Sequence, residues 1–256
     1  QGNGGTDTLY VGGAVKASTV RGGTGNDTLS FGGSVSGSTV YGDKGADTIR
    51  ISSGTVASSL LQGGSNTDTT TDGSDLITIG VAISGSTLLG NGGNDSIYMD
   101  STGALTNSTI HGGKGNDLVS AGAKTLSTAY LAGDLGNDTI SLLATSIYAS
   151  TIYGDNSTTS GGDDSINLAK AGTGIRNTSV YGGSGKDTIV IGEASTDVIK
   201  TSFFQGNAGA DSLVFMGSAL SSTLRGGAGD DTLSINWSGS GSNLQSQFYG
   251  DLGSDN

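Results

Sequence analysis

An aspartate that closes a glycine-rich turn recurs throughout the chain. The stretch STVYGDKGADTIRI, which begins at residue 38, has close counterparts beginning at residues 18, 108 and 222. Twelve such aspartates, called anchors below, follow one another at intervals of 20 to 28 residues, and each has a glycine two residues earlier. They are Asp7, Asp27, Asp47, Asp75, Asp95, Asp117, Asp138, Asp164, Asp187, Asp211, Asp231 and Asp255. A carboxylate at one fixed place in every repeat indicates a shared chemical role.

Apolar residues flank each glycine turn in a pattern that predicts two strands per repeat. Residues two and four positions after an anchor are apolar in eleven repeats, as Leu29 and Phe31 are after Asp27, and the residue between them is mostly polar. Strict alternation is typical of a half-buried β-strand. A second apolar column precedes each glycine turn, as at Val20 and Val40, with a small residue two positions before it. This small residue is mostly serine, and it predicts a narrow interior where two sheets approach closely.

One repeat is too short to bury its apolar face, but stacked repeats bury a continuous core. We therefore expect an all-β, right-handed parallel β-roll or β-helix solenoid of about 12 coils, with 20 to 28 residues per coil. We expect two parallel sheets, and one continuous solenoid over residues 1–256. Both ends of the sequence lie inside a glycine turn, so we expect a fragment of a longer array that is uncapped at both ends.

Stacked coils would place the anchor carboxylates in a file. At steps of about 4.8 Å, neighbouring unit charges repel by about 0.9 kcal/mol even in bulk water. A cation between the carboxylates would remove this repulsion. Glycine lets backbone carbonyls turn inward, and a site made only of oxygen donors selects a hard cation. Calcium accepts six to eight oxygens with loose geometry, so the pattern favours calcium over magnesium.

Further candidate ligands lie in the same loops. Asp43, Asp134 and Asp251 stand four residues before an anchor, where other loops have glycine or asparagine, and Asp163 and Asp230 directly precede their anchors. The additional ligands predicted from intact loops are Gly22, Gly25, Gly42, Asp43, Gly45, Gly112, Gly115, Gly133, Asp134, Gly136, Gly182, Gly185, Gly226 and Gly229. The alternative is that Asp and Gly only form turns here, but turn preference alone would allow Asn or Ser in some repeats.

The loops GGTGNDTLSF, which begins at Gly22, and GGAGDDTLSI, which begins at Gly226, resemble the nonapeptide of the RTX (repeats-in-toxin) family. The resemblance implies a parallel β-roll in which the motif aspartate and loop carbonyls of one coil share calcium with the next coil. The family's roll has shorter coils and calcium turns on both edges. Here the opposite turn (GGSVSGS, DSTGALTNS) lacks the motif, so we expect calcium along one edge only.

Eleven gaps between twelve anchors predict about 7–11 calcium ions, because two loops contain insertions. The insertions, at residues 66–72 and 156–160, precede Asp75 and Asp164 and leave open whether those loops bind calcium. Alternatively, Asp68, Asp72 and Asp155 serve as ligands there.

Composition excludes several classes of protein. The chain has no Cys, a net charge of −12 and no apolar run long enough to span a membrane. We therefore expect no thiolate metal site, no nucleic acid partner and no membrane insertion. H-E-x-x-H and G-x-S-x-G are absent, and His111 is the only histidine and is expected to face solvent. We expect no enzyme activity.

The pattern favours a calcium-dependent structural segment of a secreted or cell-surface bacterial protein, foremost a surface layer. The sequence lacks an N-terminal signal peptide, and the resemblance implies export by type I secretion. Expected partners are calcium, neighbouring copies or further repeats of the same protein, and cell-surface polysaccharide.

Two alternatives stay open: an adhesin extender or ligand-binding solenoid, ice-binding solenoids included, and a non-catalytic repeat region of an RTX toxin or hydrolase. Two outward threonine columns are compatible with ice binding, but each is interrupted by residues such as Leu60 and Leu118.

Overall fold

The first sheet consists of the strands that follow the anchors. The computed structural model of the chain describes residues 1–65, 72–100, 103–156, 161–168, 174–193, 198–236 and 245–255. Leu29 and Phe31 are each 1% exposed, whereas Thr28 and Ser30 are partly exposed, as the predicted alternation requires. The strands are Thr8–Val11, Thr28–Phe31, Thr48–Ile51, Leu76–Ile79, Ser96–Met99, Leu118–Ala121, Thr139–Leu142, Ser165–Leu168, Thr188–Ile191, Ser212–Met216 and Thr232–Asn236.

The third sheet consists of the strands that enter the glycine turns. Its inward column includes Val40 and Leu61, which are both fully buried, as the sequence predicted. The strands are Thr19–Thr24, Thr39–Lys44, Leu60–Gln62, Thr87–Gly92, Thr109–Lys114, Tyr130–Leu135, Thr151–Tyr153, Ser179–Ser184, Phe203–Ala208, Thr223–Ala228 and Gln247–Leu252.

A second sheet lies between these two along the chain, so each coil has three strands and the expectation of two sheets was wrong. Its short strands are Val15–Lys16, Val35–Ser36, Thr55–Ala57, Ala82–Ser84, Ala104–Thr106, Thr125–Ser127, Ser146–Tyr148, Gly174–Arg176, Val198–Lys200 and Ser218–Leu220. Each of these strands directs one apolar side chain inward, and Val35 and Val56 are fully buried. Each of these strands has only two or three residues, which is too few to show alternation. In the sequence, these strands therefore resemble turns.

All pairing between strands is parallel and joins each strand to its copy in the next coil. Thr28 pairs with both Thr8 and Thr48, and Leu29 pairs with Leu9 and Ile49. Within the described ranges, the buried side chains form one apolar cluster that runs from Val15 to Leu224. The predicted all-β parallel solenoid is thereby confirmed, and its handedness stays a prediction.

The serine column lies at the corner between the second and third sheets. Ser38 is 3% exposed; its hydroxyl accepts a hydrogen bond from the Ser18 amide at 3.2 Å and donates one to the Ser36 carbonyl at 2.9 Å. The serines therefore satisfy the backbone at a corner, and the narrow interior expected beside them stays a prediction. The residue before each serine has a left-handed backbone, as at Asn107 with φ 48°.

The elements in the described part of the chain are strands, and no helix there is long and apolar enough to cross a membrane.

Candidate metal centre

The fold brings the twelve anchors into one row. The eleven anchors from Asp7 to Asp231 each lie directly before a first-sheet strand, and Asp255 follows the last third-sheet strand. Because the strands that follow are paired in register, the anchors are stacked one above another. Asp7 and Asp255, at the two ends of the row, are half-buried. The other ten anchors are at most 3% exposed: Asp27, Asp47, Asp75, Asp95, Asp117, Asp138, Asp164, Asp187, Asp211 and Asp231.

The two oxygens of each anchor carboxylate have different surroundings. Oδ1 accepts a hydrogen bond from the backbone amide of the preceding anchor: Asp27 Oδ1 from Asp7 at 2.7 Å, and Asp117 Oδ1 from Asp95 at 2.7 Å. This ladder continues to Asp255 Oδ1, which accepts from the Asp231 amide at 3.1 Å. Oδ2 is buried in all ten inner anchors and has no hydrogen-bond partner there. A row of buried acceptor oxygens without donors is what a cation would satisfy.

Glycine keeps the space beside Oδ2 open. A Cβ placed on Gly112 would lie 2.5 Å from Asp117 Oδ2 and 2.6 Å from the carbonyl oxygen of Gly133 in the next coil. The same neighbours, an anchor Oδ2 and the carbonyl of the next coil, surround Gly22. A side chain would therefore fill the space between a carboxylate of one coil and a carbonyl of the next. This arrangement fits a shared calcium ion, because both donors are oxygens.

The second loop glycine has a left-handed backbone. Gly45 has φ 121°, and a Cβ there would lie 2.6 Å from the carbonyl carbon of Gly25 in the preceding coil. Gly25, Gly115, Gly136, Gly185 and Gly229 also have positive φ. A side chain at this place would be strained and would separate the coils. The predicted loop glycines Gly42, Gly182 and Gly226 lie beside their anchors in the manner of Gly112.

Burial raises the pKa of the anchors well above the ordinary value of an aspartate. The pKa reaches about 9 for Asp75 and Asp164 and about 8 for Asp95 and Asp138. It reaches about 7 for Asp117, Asp187 and Asp211, and about 6 for Asp47. Desolvation is the largest cause in each case, and neighbouring carboxylates add to it. A carboxylate in this file is therefore unfavourable at neutral pH unless a cation neutralises it.

Two predicted ligands also have basic partners. Asp43 forms an ion pair with Arg21 at 2.5 Å, and Asp134 Oδ2 lies 2.7 Å from His111 Nδ1. Both partners belong to the outward column of the preceding coil. Asp134 Oδ1 is nevertheless buried without a hydrogen-bond partner, like the Oδ2 atoms of the anchors. Asp251 is paired in the same way with Arg225. In the sequence, each of these aspartates follows its basic partner by about one coil, and this spacing could have predicted the pairs.

The inserted loops keep their anchors in the file. Asp75 and Asp164 each have a buried Oδ2 without a partner, like their neighbours. Asp72 Oδ2 accepts a hydrogen bond from the Ser65 amide at 2.7 Å. Asp155 lies with Asp138 and Asp164 so that one carboxylate oxygen of each is within 4.8 Å of the others. Asp68 lies outside the described residues.

A second ladder, which the sequence interpretation missed, runs beside the anchors. Asn94 Oδ1 accepts a hydrogen bond from the Asn116 amide at 2.8 Å, and Asn116 Oδ1 accepts one from Asn137 at 2.9 Å. Asp163 and Asp230 occupy the same place and accept from Lys186 and Ser254. These two aspartates therefore join coils as the asparagines do. Asn or Asp directly before an anchor was the signal in the sequence.

Comparison with known proteins agrees with this geometry. The model of the RTX calcium-binding nonapeptide repeat matches four copies, at residues 16–34, 85–98, 102–123 and 216–234. No curated protein gives a significant match. The structure is similar to the X-ray crystal structure of a hyperactive, Ca2+-dependent, β-helical antifreeze protein from an Antarctic bacterium. That similarity has a TM-score of 0.69 at 21% identity and covers 99% of this chain and 83% of that chain, which shows a shared fold.

Proposed function

We propose that this chain, which carries RTX calcium-binding repeats on a parallel β-solenoid, is a calcium-dependent structural segment of a secreted or cell-surface bacterial protein. The segment is a stiff, non-catalytic rod, foremost part of a surface layer. One observation carries the proposal: ten buried anchor oxygens without hydrogen-bond partners, aligned along one edge of the solenoid. They make folding dependent on a cation that is abundant outside cells and scarce in the cytosol.

The proposed ions form a single file of about 7–11 calcium ions, one in a gap between neighbouring coils. The opposite corner supports a one-sided file, because its serine hydroxyls already accept and donate hydrogen bonds. All the buried carboxylate oxygens without a partner in the described ranges belong to the glycine–aspartate loops. The site residues are the anchors and the carbonyls of their loop glycines.

A titration tests the structural proposal. Chelator-treated protein should give little β signal in circular dichroism at neutral pH, and millimolar calcium should restore the signal. Magnesium should restore it poorly, because it requires a strict octahedron and retains its water ligands. A chain that is fully folded in excess chelator at neutral pH would contradict the proposal.

The placement in a surface layer has its own test. Electron microscopy of the purified full-length protein with calcium should show a two-dimensional lattice, in which neighbouring copies are the partners. Isolated rods would instead favour the adhesin extender, whose target lies at the far end of the molecule. The proposed route out of the cell is type I secretion of the calcium-free, unfolded chain.

Cell-surface polysaccharide is a further proposed partner. A stripe of rings on the outer face of the third sheet supports it: His111, Tyr130, Tyr153, Tyr181 and Phe203, with successive ring centroids 5.3, 5.6, 4.8 and 5.6 Å apart. Aromatic rings that are half-exposed combine an apolar face with a polar tip, which suits a partner of mixed polarity. Binding of cell-wall polysaccharide should weaken in Tyr153→Ser and not in Tyr98→Ser, which lies on the first sheet.

Ice binding is the second candidate function, favoured by the fold shared with the antifreeze protein. The outer surface argues against it. In the first-sheet threonine column, Thr48 is followed by Leu76, Ser96 and Leu118 in the three coils that come next. A regular flat array is therefore absent from these described strands. We expect no thermal hysteresis from the calcium-loaded protein, and a clear hysteresis gap would make ice binding the function.

A further inference from the structure

Asp155 differs from the aspartates that share its place in other coils. Asp43, Asp134 and Asp251 have φ of 79°, 80° and 79°, and each is paired with an arginine or histidine one coil earlier. The backbone of Asp155 does not have a positive φ. The corresponding residue one coil earlier is Ala132, which pairs with Tyr153 and offers no charge. This alanine removes the basic partner that holds the other three side chains outward.

The Asp155 side chain instead lies inside the loop edge. It is 2% exposed, and Oδ2 accepts a hydrogen bond from the Gly162 amide at 3.1 Å. It lies over the next coil, where a Cβ on Gly183 would be 2.6 Å from the Asp155 Cβ. Oδ1 is buried and has no hydrogen-bond partner within the described ranges.

Two anchors meet Asp155 there. One carboxylate oxygen from each of Asp138, Asp155 and Asp164 lies within 4.8 Å of the other two. Asp138 and Asp164 are 2% and 3% exposed, and their Oδ2 atoms also lack partners. Three buried carboxylates without a counter-charge oppose folding strongly. Oxygen donors alone, with no nitrogen or sulfur among them, favour a hard divalent cation.

We propose that Asp138, Asp155 and Asp164 form a three-carboxylate calcium site, distinct from the two-anchor gaps and occupied before them. The proposal rests on the calcium file described above and adds a ligand that lies outside the anchor positions. Calcium affinity rises with the number of charged ligands, so Asp155 strengthens the file at this gap. The first ion bound then fixes two coils in register, and later ions bind to a partly ordered array.

Calorimetric titration of the full chain with calcium tests the site. Wild-type protein should show a tight first step followed by weaker steps. Asp155→Asn, which keeps the size of the side chain, should weaken the first step by about tenfold or more, while the later steps remain. The control is Asp100→Asn, an exposed aspartate outside the glycine loops, and it should leave the first step unchanged.

The outcomes separate this proposal from the function. If Asp155→Asn folds with calcium and keeps the tight step, the three-carboxylate site is wrong and the calcium file stands. If wild-type protein binds no calcium, both are wrong. A measurement on wild-type protein does not depend on the folding of a variant: crystals soaked with substoichiometric terbium should show the strongest anomalous peak beside Asp155. A strongest peak at any other gap would overturn the proposal.

Discussion

At the scale of single residues, the two carboxylate oxygens of each anchor aspartate have different functions. Asp117 Oδ1 accepts the Asp95 amide and joins two coils, whereas its Oδ2 is buried without a partner. Asparagine could perform the first function but not the second, because its NH2 group would replace Oδ2 and direct hydrogens toward the cation. This division explains why the sequence has Asp at all twelve anchor positions.

Asp117→Asn should therefore have opposite effects with and without calcium. In calcium, the melting temperature should fall by about 4 °C or more, since 1 kcal/mol corresponds to roughly 2–4 °C in a chain of this size. In chelator at pH 5, where the anchors of the calcium-free fold are protonated, it should not fall, because asparagine is also uncharged and keeps the Oδ1 ladder. Calorimetric melts of Asp117→Asn and of the exposed control Asp100→Asn measure both effects. Equal losses in calcium and chelator would mean that the anchor is only a turn former.

The glycine beside the anchor can be tested separately. Gly112→Ala should weaken calcium binding, because its Cβ would lie 2.5 Å from Asp117 Oδ2 and 2.6 Å from the Gly133 carbonyl oxygen. Gly80→Ala is the matched control, since its nearest neighbour is the Ile51 carbonyl oxygen at 3.8 Å. Calcium affinities from calorimetry should differ between the two variants by about tenfold or more. Equal affinities would show that the space beside Oδ2 holds no ion.

At the scale of the elements, the sequence predicted two of the three strands in each coil. First-sheet strands have two apolar residues each, so their alternation was visible, and third-sheet strands have one apolar residue at a fixed distance before the glycine turn. The second sheet has a single inward residue per strand, such as Val35 or Val56, and no alternation can be read from one residue. A signal was present nevertheless. Val15, Val35 and Val56 each precede the inward residue of the third sheet by five positions, a constant spacing that marks a short strand and a corner.

The corner itself carries strain that a substitution can relieve. Thr128 has φ 53°, which is unfavourable for a β-branched residue, whereas the same corner position holds Asn107 and Gly85 in other coils. Thr128→Asn should stabilise the calcium-loaded protein by about 0.5–1 kcal/mol, because asparagine tolerates a left-handed backbone. Thermal melts would detect the gain. The control Thr125→Asn, in the strand Thr125–Ser127, should be destabilising, since asparagine is disfavoured in strands. A loss in both variants would contradict the strain argument.

At the scale of the whole molecule, the file makes stability depend on pH in opposite ways with and without calcium. Burial raises the pKa of Asp75 and Asp164 to about 9, against about 3.9 in an unfolded chain. The calcium-free fold therefore binds more protons than the unfolded chain, and its stability is present at low pH and lost as the pH rises through the folded pKa. Calcium binding needs the deprotonated carboxylates, so the stability that calcium adds increases with pH.

In chelator, the calcium-free fold should accordingly give a melting transition at pH 5 that is weak or absent at pH 8, and the gain from calcium should be larger at pH 8. Asp75→Asn should reduce the dependence on pH in chelator, whereas Asp100→Asn should leave it unchanged. Calorimetric scans at both pH values with each variant measure this. A calcium-free protein that is more stable at pH 8 would show that the anchors are not the groups that control stability.

The anchors, their spacing and the one-sided file followed from the sequence because a repeat shows its ligands many times. The ion pairs of Asp43 and Asp134 did not, since they depend on a basic residue one coil away, and the inward position of Asp155 accompanies Ala132 at the corresponding place of the preceding coil. Both are properties of neighbouring coils rather than of one repeat.

The central claim is that the buried Oδ2 atoms of the anchors bind one file of calcium ions. A crystal structure of the calcium-loaded protein, with anomalous difference maps, tests it most directly. The account predicts a single row of calcium peaks along the glycine–aspartate edge, each beside an anchor Oδ2 and a carbonyl of the neighbouring coil. An edge without peaks, or a second row along the serine corner, would contradict it.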